Sequence, residues 1–146
     1  MKKIVLVTGG FDPIHSGHLA YFIAAKELGD ELWVGVNSDD WLTRKKDRAF
    51  MPLEERMEII SNLRMVDSVF SFDDSDDSAN RAISYALEKI KDEDNIIFAN
   101  GGDRNFESTP ESQNFDKNEK IKFIYGVGGN DKKNSSRKIL EDCKNT

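Results

Sequence analysis

The chain has 146 residues, 38% hydrophobic and 33% charged, with a formal net charge of −6. That length makes one ordinary domain, residues 1–146, able to bury roughly two-thirds of its unfolded surface, and the acidic balance argues against a general nucleic-acid binder. One cysteine, Cys143, precludes an internal disulfide and fits a reducing cytoplasm; no apolar run approaches the ~20 residues of a membrane span, and the start of the chain lacks a secretory pattern, so no membrane association is expected.

Residues 4–8 read as a first strand, followed by a Gly-rich turn and a helix over 19–28 that Gly29 closes as its C′ residue. A second strand spans 32–37, and 40–51 has no clear period. The next helix covers 53–63, with Pro52 suited to a first helical position and Glu54 and Glu55 in the first turn. A strand over 66–72 leads to a helix over 79–90, with Ser78 as N-cap and the acids of 75–77 where the helix dipole favours them. A strand over 96–99, an irregular stretch over 100–120, a strand over 121–127 and a helix over 135–143 complete the chain. Strands alternating with helices predict an α/β protein: a Rossmann-like, doubly wound, mainly parallel five-stranded sheet with helices on both faces. Ligands of such sheets bind beyond the carboxyl ends of the strands, where strand order reverses.

Both histidines of the chain, His15 and His18, lie in T-G-G-F-D-P-I-H-S-G-H, residues 8–18, at the first such end. Ser16 suits an N-cap there, and Gly17 leaves the backbone open to a ligand. A helix N-terminus offers unpaired N–H groups and a partial positive charge, so two imidazoles converging on it point to phosphate chemistry. With no second cysteine and no third histidine, a zinc site is not expected.

The same run resembles the G-x-F-D-x-x-H-x-G-H signature of the cytidylyltransferase-like nucleotidylyltransferases. V-N-S-D (36–39), P-L-E-E-R-M (52–57), L-R-M-V-D (63–67), G-G-D (101–103) and S-S-R-K-I (135–139) follow in the order such enzymes show. The resemblance is nearest to glycerol-3-phosphate cytidylyltransferases and to the adenylyltransferase domain of ADP-heptose synthases. It implies transfer of a nucleoside monophosphate from CTP or ATP to a phosphorylated alcohol or sugar, with pyrophosphate released and Mg²⁺ carried on the triphosphate. Glycerol-3-phosphate cytidylyltransfer is the leading form; heptose-1-phosphate-type adenylyltransfer and a non-catalytic nucleotide-binding module are the alternatives. A homodimer is compatible with the resemblance.

By resemblance His15 and His18 contact the triphosphate, while Thr8, Gly9, Gly10, Phe11 and Gly17 line the nucleotide site and Asp12, within the same site, orients the turn or a neighbouring donor. Lys45 or Lys46, with Arg44 beside them, bridges the reacting phosphates. Arg56, Arg64 and Arg104 are placed near substrate phosphates. Gly101 and Asp103 hold the ribose or the acceptor, and Ser135 and Ser136 at the last helix hold nucleotide phosphates. Arg137, Lys132 and Lys133 depart from the family pattern and stand where a family arginine approaches the triphosphate. The stretch 106–118 matches neither branch and is expected to shape acceptor specificity or to act as a flap.

Overall fold

The structure, a computed structural model, describes residues 1–101, 110–115 and 117–128. Its strands are β1 (Lys3–Gly9), β2 (Glu31–Val36), β3 (Ser68–Ser71), β4 (Asn95–Gly101) and β5 (Ile121–Val127). They form one sheet in the order β3-β2-β1-β4-β5, with every pair parallel. Helices α1 (Ser16–Lys26), α2 (Asp39–Lys46), α3 (Leu53–Ser61), α4 (Asn80–Lys89) and α5 (Pro110–Phe115) connect or flank them. The expected α/β sheet with helices on both faces is therefore present. The helix expected over 135–143 lies outside the described residues.

Alternation along the strands divides the core. Val5 and Val7 of β1 pack with Phe22 and Ala25 of α1 and Ile60 of α3, whereas Leu6 packs with Ala82, Ile83 and Ala86 of α4. Phe22 and Ile83 have no exposed surface, and each such side chain contributes roughly 1.5–3 kcal/mol by leaving water. The chain leaves β1 through α1 toward β2 and later returns through α4 to β4 on the other side of β1. The reversal point thus lies between the carboxyl ends of β1 and β4.

Several boundaries differ from those expected. The first helix begins at Ser16, and its N-cap is His15 rather than Ser16. Gly29 is not the C′ residue, because α1 is capped by Glu27; a side chain at Gly29 would meet the Lys3 carbonyl at 2.6 Å, and that close approach demands glycine. Pro52 is an N-cap, and Ala79, not Ser78, caps α4; Ser78 Oγ still accepts the Asn80 N–H at 3.2 Å.

The stretch 40–51, expected to be irregular, contains most of α2. Ser38 Oγ caps it by accepting the Trp41 N–H at 3.1 Å; Asp39 and Asp40 sit at its start, and Arg44, Lys45 and Lys46 at its end. Those charges complement the helix dipole, but only Leu42 is buried, so no apolar period announces the helix. In the same way Pro110 opens the short α5 inside the second irregular stretch.

Candidate active site

The two histidines terminate α1. His15 Nδ1 accepts the Gly17 N–H at 3.1 Å, and His18 Nδ1 accepts the His15 N–H at 3.2 Å, a reciprocal cap built from imidazoles. Their rings stack with centroids 3.8 Å apart. An Nδ1 that accepts leaves the neutral ring's proton on Nε2, so both rings present Nε2–H donors. Burial, followed by the charges of His15 and Lys46, pushes the His18 pKa down to about 3, and burial lowers that of His15. At neutral pH the pair acts as two oriented neutral donors. Gly17, expected to leave its backbone free for the nucleotide, has its N–H already taken by His15.

Phe11 fixes this arrangement from the turn. Its ring meets the edges of His18 and Phe22, each at 5.1 Å between centroids, while its backbone has φ of 52°. A non-glycine residue in that region stores strain, which concentrates at functional turns. The Asp12 carboxylate is fully buried and accepts the N–H groups of Phe50 and Met51, each at 2.6 Å. Lys46 Nζ lies 3.3 Å from that carboxylate and also donates to the Asp12 carbonyl. Asp12 therefore orients the turn, as expected, and it presents no surface to a ligand.

Arg56, expected near a substrate phosphate, is a buried strut. Its Nε donates to the Met51 carbonyl at 2.9 Å, Nη1 to the carbonyls of Gly10 and Asn37 at 2.8 and 2.7 Å, and Nη2 to Asp39 at 2.7 Å. The side chain is 0% exposed, so this cation braces the loops around the cleft and does not face it. Arg64 is exposed and follows α3 just ahead of β3, at the end of the sheet where the parallel strands begin. That is the far end from the histidines, which corrects its placement near a phosphate.

The three candidate bridging cations have different neighbours. Arg44 donates to Asp77 Oδ1 at 3.0 Å and to the Asp74 carbonyl at 2.8 Å, and Lys46 is held by Asp12. Lys45 is exposed, with its ammonium 5.7 Å from the Trp41 ring centroid. Trp41 itself lines the cleft.

That cleft, about 270 Å³, opens where β1 and β4 diverge. Thr8, Gly9, Gly10, Phe11, His18 and Gly101 line it, bringing together much of what was expected. A Cβ on Gly10 would stand 2.7 Å from Leu42 Cδ2 and 3.3 Å from the Trp41 ring, so glycine there keeps the floor open. Lining residues that the sequence did not single out are Tyr21, Asn37, Trp41, Asp77, Ser78, Ala79, Asn100 and Glu111. Tyr21 donates its hydroxyl to the Ala99 carbonyl. Asn37 and Ser38, within V-N-S-D, both donate to the buried Asp74, at 3.0 Å from Asn37 Nδ2 and 2.7 Å from Ser38 Oγ. That motif could have signalled Asn37. Asp103, Arg104, Lys132, Lys133, Ser135, Ser136 and Arg137 lie outside the described residues.

The profile of the family described as cytidylyltransferase-like matches residues 6–127. The chain belongs to that family. Its members are nucleotidyltransferases, and the chain is one by that membership. A bifunctional HldE protein of Erwinia tasmaniensis is 37% identical over 145 residues, 88% of this chain and 29% of that protein. The HldE protein of Citrobacter koseri is 43% identical over 88 residues, 59% of this chain and 18% of that one. The chain thus spans less than a third of the length of these curated relatives. A lipopolysaccharide core biosynthesis protein of Thermoplasma volcanium superposes with a TM-score of 0.65 at 26% identity, covering 86% of this chain and 96% of that one. A bifunctional NMN adenylyltransferase/ADP ribose pyrophosphatase of Francisella tularensis, at 16% identity and a TM-score of 0.70, covers 99% of this chain and 42% of that one and shares the fold. Among the described residues no helix is long and apolar enough to cross a membrane.

Proposed function

We propose that this member of the family transfers an adenylyl group from ATP to a sugar 1-phosphate, of the heptose-1-phosphate type, and releases pyrophosphate. The observation that carries the reading is the pair of neutral, backbone-locked histidines, of which His18 lines a cleft placed at the sheet's reversal point and His15 stacks on it from outside the lining. The similarity to HldE proteins supports adenylyl transfer ahead of the glycerol-3-phosphate cytidylyltransfer that the sequence put first.

An acceptor phosphate is already largely ionised at neutral pH, its second pKa being about 6, so the step needs no general base. One of its oxygens attacks the α-phosphorus in line; the bond from that phosphorus to the bridging oxygen breaks, and the electron pair leaves with pyrophosphate. His15 and His18 donate their Nε2 protons as hydrogen bonds to phosphate oxygens whose charge grows. Such fixed donors are worth roughly 3–4 kcal/mol each when removed. Lys45, exposed beside Trp41, supplies the mobile cation between the two polyanions, while Asp12, Lys46 and Arg56 hold the loops in register. Among the described residues no three His, Cys, Asp or Glu side chains gather to hold a metal by themselves. In this reading, as the resemblance implies, Mg²⁺ would arrive on the triphosphate and neutralise part of the leaving charge. Ser135, Ser136, Asp103, Arg104 and Arg137 keep the nucleotide and phosphate roles implied by resemblance as part of this reading.

The test is pyrophosphate release with ATP and CTP, each crossed with several sugar 1-phosphates and glycerol 3-phosphate. Release with ATP and a sugar 1-phosphate is expected. Release with CTP and glycerol 3-phosphate alone would overturn the choice of substrates, and release with no pair would overturn transfer itself.

A further inference from the structure

Of the four buried side-chain polar atoms without a hydrogen-bond partner among the described residues, two belong to residues lining the cleft: Asn100 Nδ2 and Glu111 Oε2. Asn100 is 5% exposed at the carboxyl end of β4, and Glu111 is 3% exposed in the first turn of α5. A buried polar group left unmatched is costly, so a matched pair of vacant valences at one cleft points to an outside partner.

The Glu111 side chain is held in a fixed orientation. Glu111 Oε1 accepts the Ala79 N–H at 3.0 Å, at the cap of α4, which leaves Oε2 as the acceptor still to be satisfied. Asn100 contributes a donor. The neighbouring polar groups are committed elsewhere: Ser78 Oγ is 2.9 Å from Asp76 Oδ1 and accepts the Asn80 N–H, and Asp77 is paired with Arg44. Glu111 makes no ion pair among the described residues. This wall carries the carboxylates of Asp77 and Glu111, so it repels phosphate and suits an uncharged, hydrogen-bonding part of a substrate.

We propose that Glu111 and Asn100 form a subsite reading two neighbouring hydroxyls of a substrate's sugar portion, resting on the transfer reading above. One hydroxyl donates to Glu111 Oε2, and the oxygen of its neighbour accepts from Asn100 Nδ2. The substrate then lies across the carboxyl ends of β1 and β4, with its phosphate at the histidines and its hydroxyls at the acidic wall. The sugar of the acceptor and the ribose of the nucleotide share this chemistry, and the two arms of the test separate them.

Calorimetric binding to the full chain decides it, using mannose 1-phosphate against 2-deoxyglucose 1-phosphate, and ATP against 2′-deoxy-ATP and 3′-deoxy-ATP. Loss of the hydroxyl should weaken binding roughly 10- to 100-fold in one arm, the scale of leaving such groups unpaired. Glu111→Gln keeps an oxygen for the Ala79 N–H and turns the free end into a donor, while Asn100→Asp turns a donor into an acceptor. Both variants should retain the thermal midpoint and erase the discrimination between a substrate and its deoxy analogue. Discrimination in the sugar-phosphate arm assigns the subsite to the acceptor, and in the ATP arm to ribose. Folded variants that still discriminate as the native chain does would overturn the proposal, as would a native chain indifferent to the hydroxyls or a loss that follows ATP against CTP instead. Because binding is the readout, absent pyrophosphate release would sink the transfer reading and leave this one separately decided.

Discussion

Lowering the pH should destabilise this protein through His18 in particular. In the folded chain its pKa is pushed down to about 3 by burial and then by the charges of His15 and Lys46, against an ordinary value of 6.5. Between those values the unfolded chain binds the proton and the folded chain does not. The stabilisation is therefore fully present above pH 6.5 and is lost as pH falls toward 3. Integrating the linkage from pH 7 to pH 5 gives a loss of about 2 kcal/mol from this one group. The cap acts in the same direction: Nδ1 accepts the His15 N–H, and a proton placed there would displace that donor. His18→Asn retains a side-chain acceptor but cannot titrate, which isolates the effect. Urea unfolding followed by Trp33 and Trp41 fluorescence at pH 7, 6 and 5 would give both stabilities. The difference between native chain and variant should shrink by about 2 kcal/mol over that range. Parallel curves would refute the argument, since they would mean that His18 protonates in place and meets phosphate as a cation.

Arg56→Met should leave the carbonyls of Gly10, Asn37 and Met51 without their donor and cost about 3–5 kcal/mol, read as a fall in thermal midpoint of roughly 10 °C; a raised KM at an unchanged midpoint would instead restore a direct phosphate contact. Lys45→Ala should lower kcat/KM by one to two orders of magnitude, on the order of 1–3 kcal/mol, with stability unchanged, whereas Lys46→Ala should lower the thermal midpoint as well because it strips the partner from buried Asp12. Gly10→Ala would drive a methyl group into Leu42 and the Trp41 ring, so Trp41 emission should shift and nucleotide affinity fall at least about 10-fold, on the scale of 1–3 kcal/mol for overpacking.

The sheet was legible because its central strands, β1, β2 and β4, are short apolar runs buried on both faces, and the histidine turn because its residues are contiguous. Helix α2 was not, since its only buried side chain is Leu42 and its signals are caps and charges rather than a period. Arg56 shows a different limit. A lone arginine beside acids in a helix looks exposed, and nothing local reveals that Gly10, 46 positions earlier, offers it a carbonyl. Glu111 was hidden for the same reason: its bond to the Ala79 N–H exists only once α5 folds over the start of α4. Asp12 was read as an organiser only through the resemblance, since the N–H groups that its carboxylate holds, those of Phe50 and Met51, lie 38 and 39 positions further along the chain.

The cleft draws its walls from both layers of the molecule. His18 and Tyr21 belong to α1, which packs on the face carrying Val5 and Val7; Ala79 caps α4, and α4 packs on the face carrying Leu6. A substrate stretched between them would clasp the two layers together over the carboxyl ends of β1 and β4.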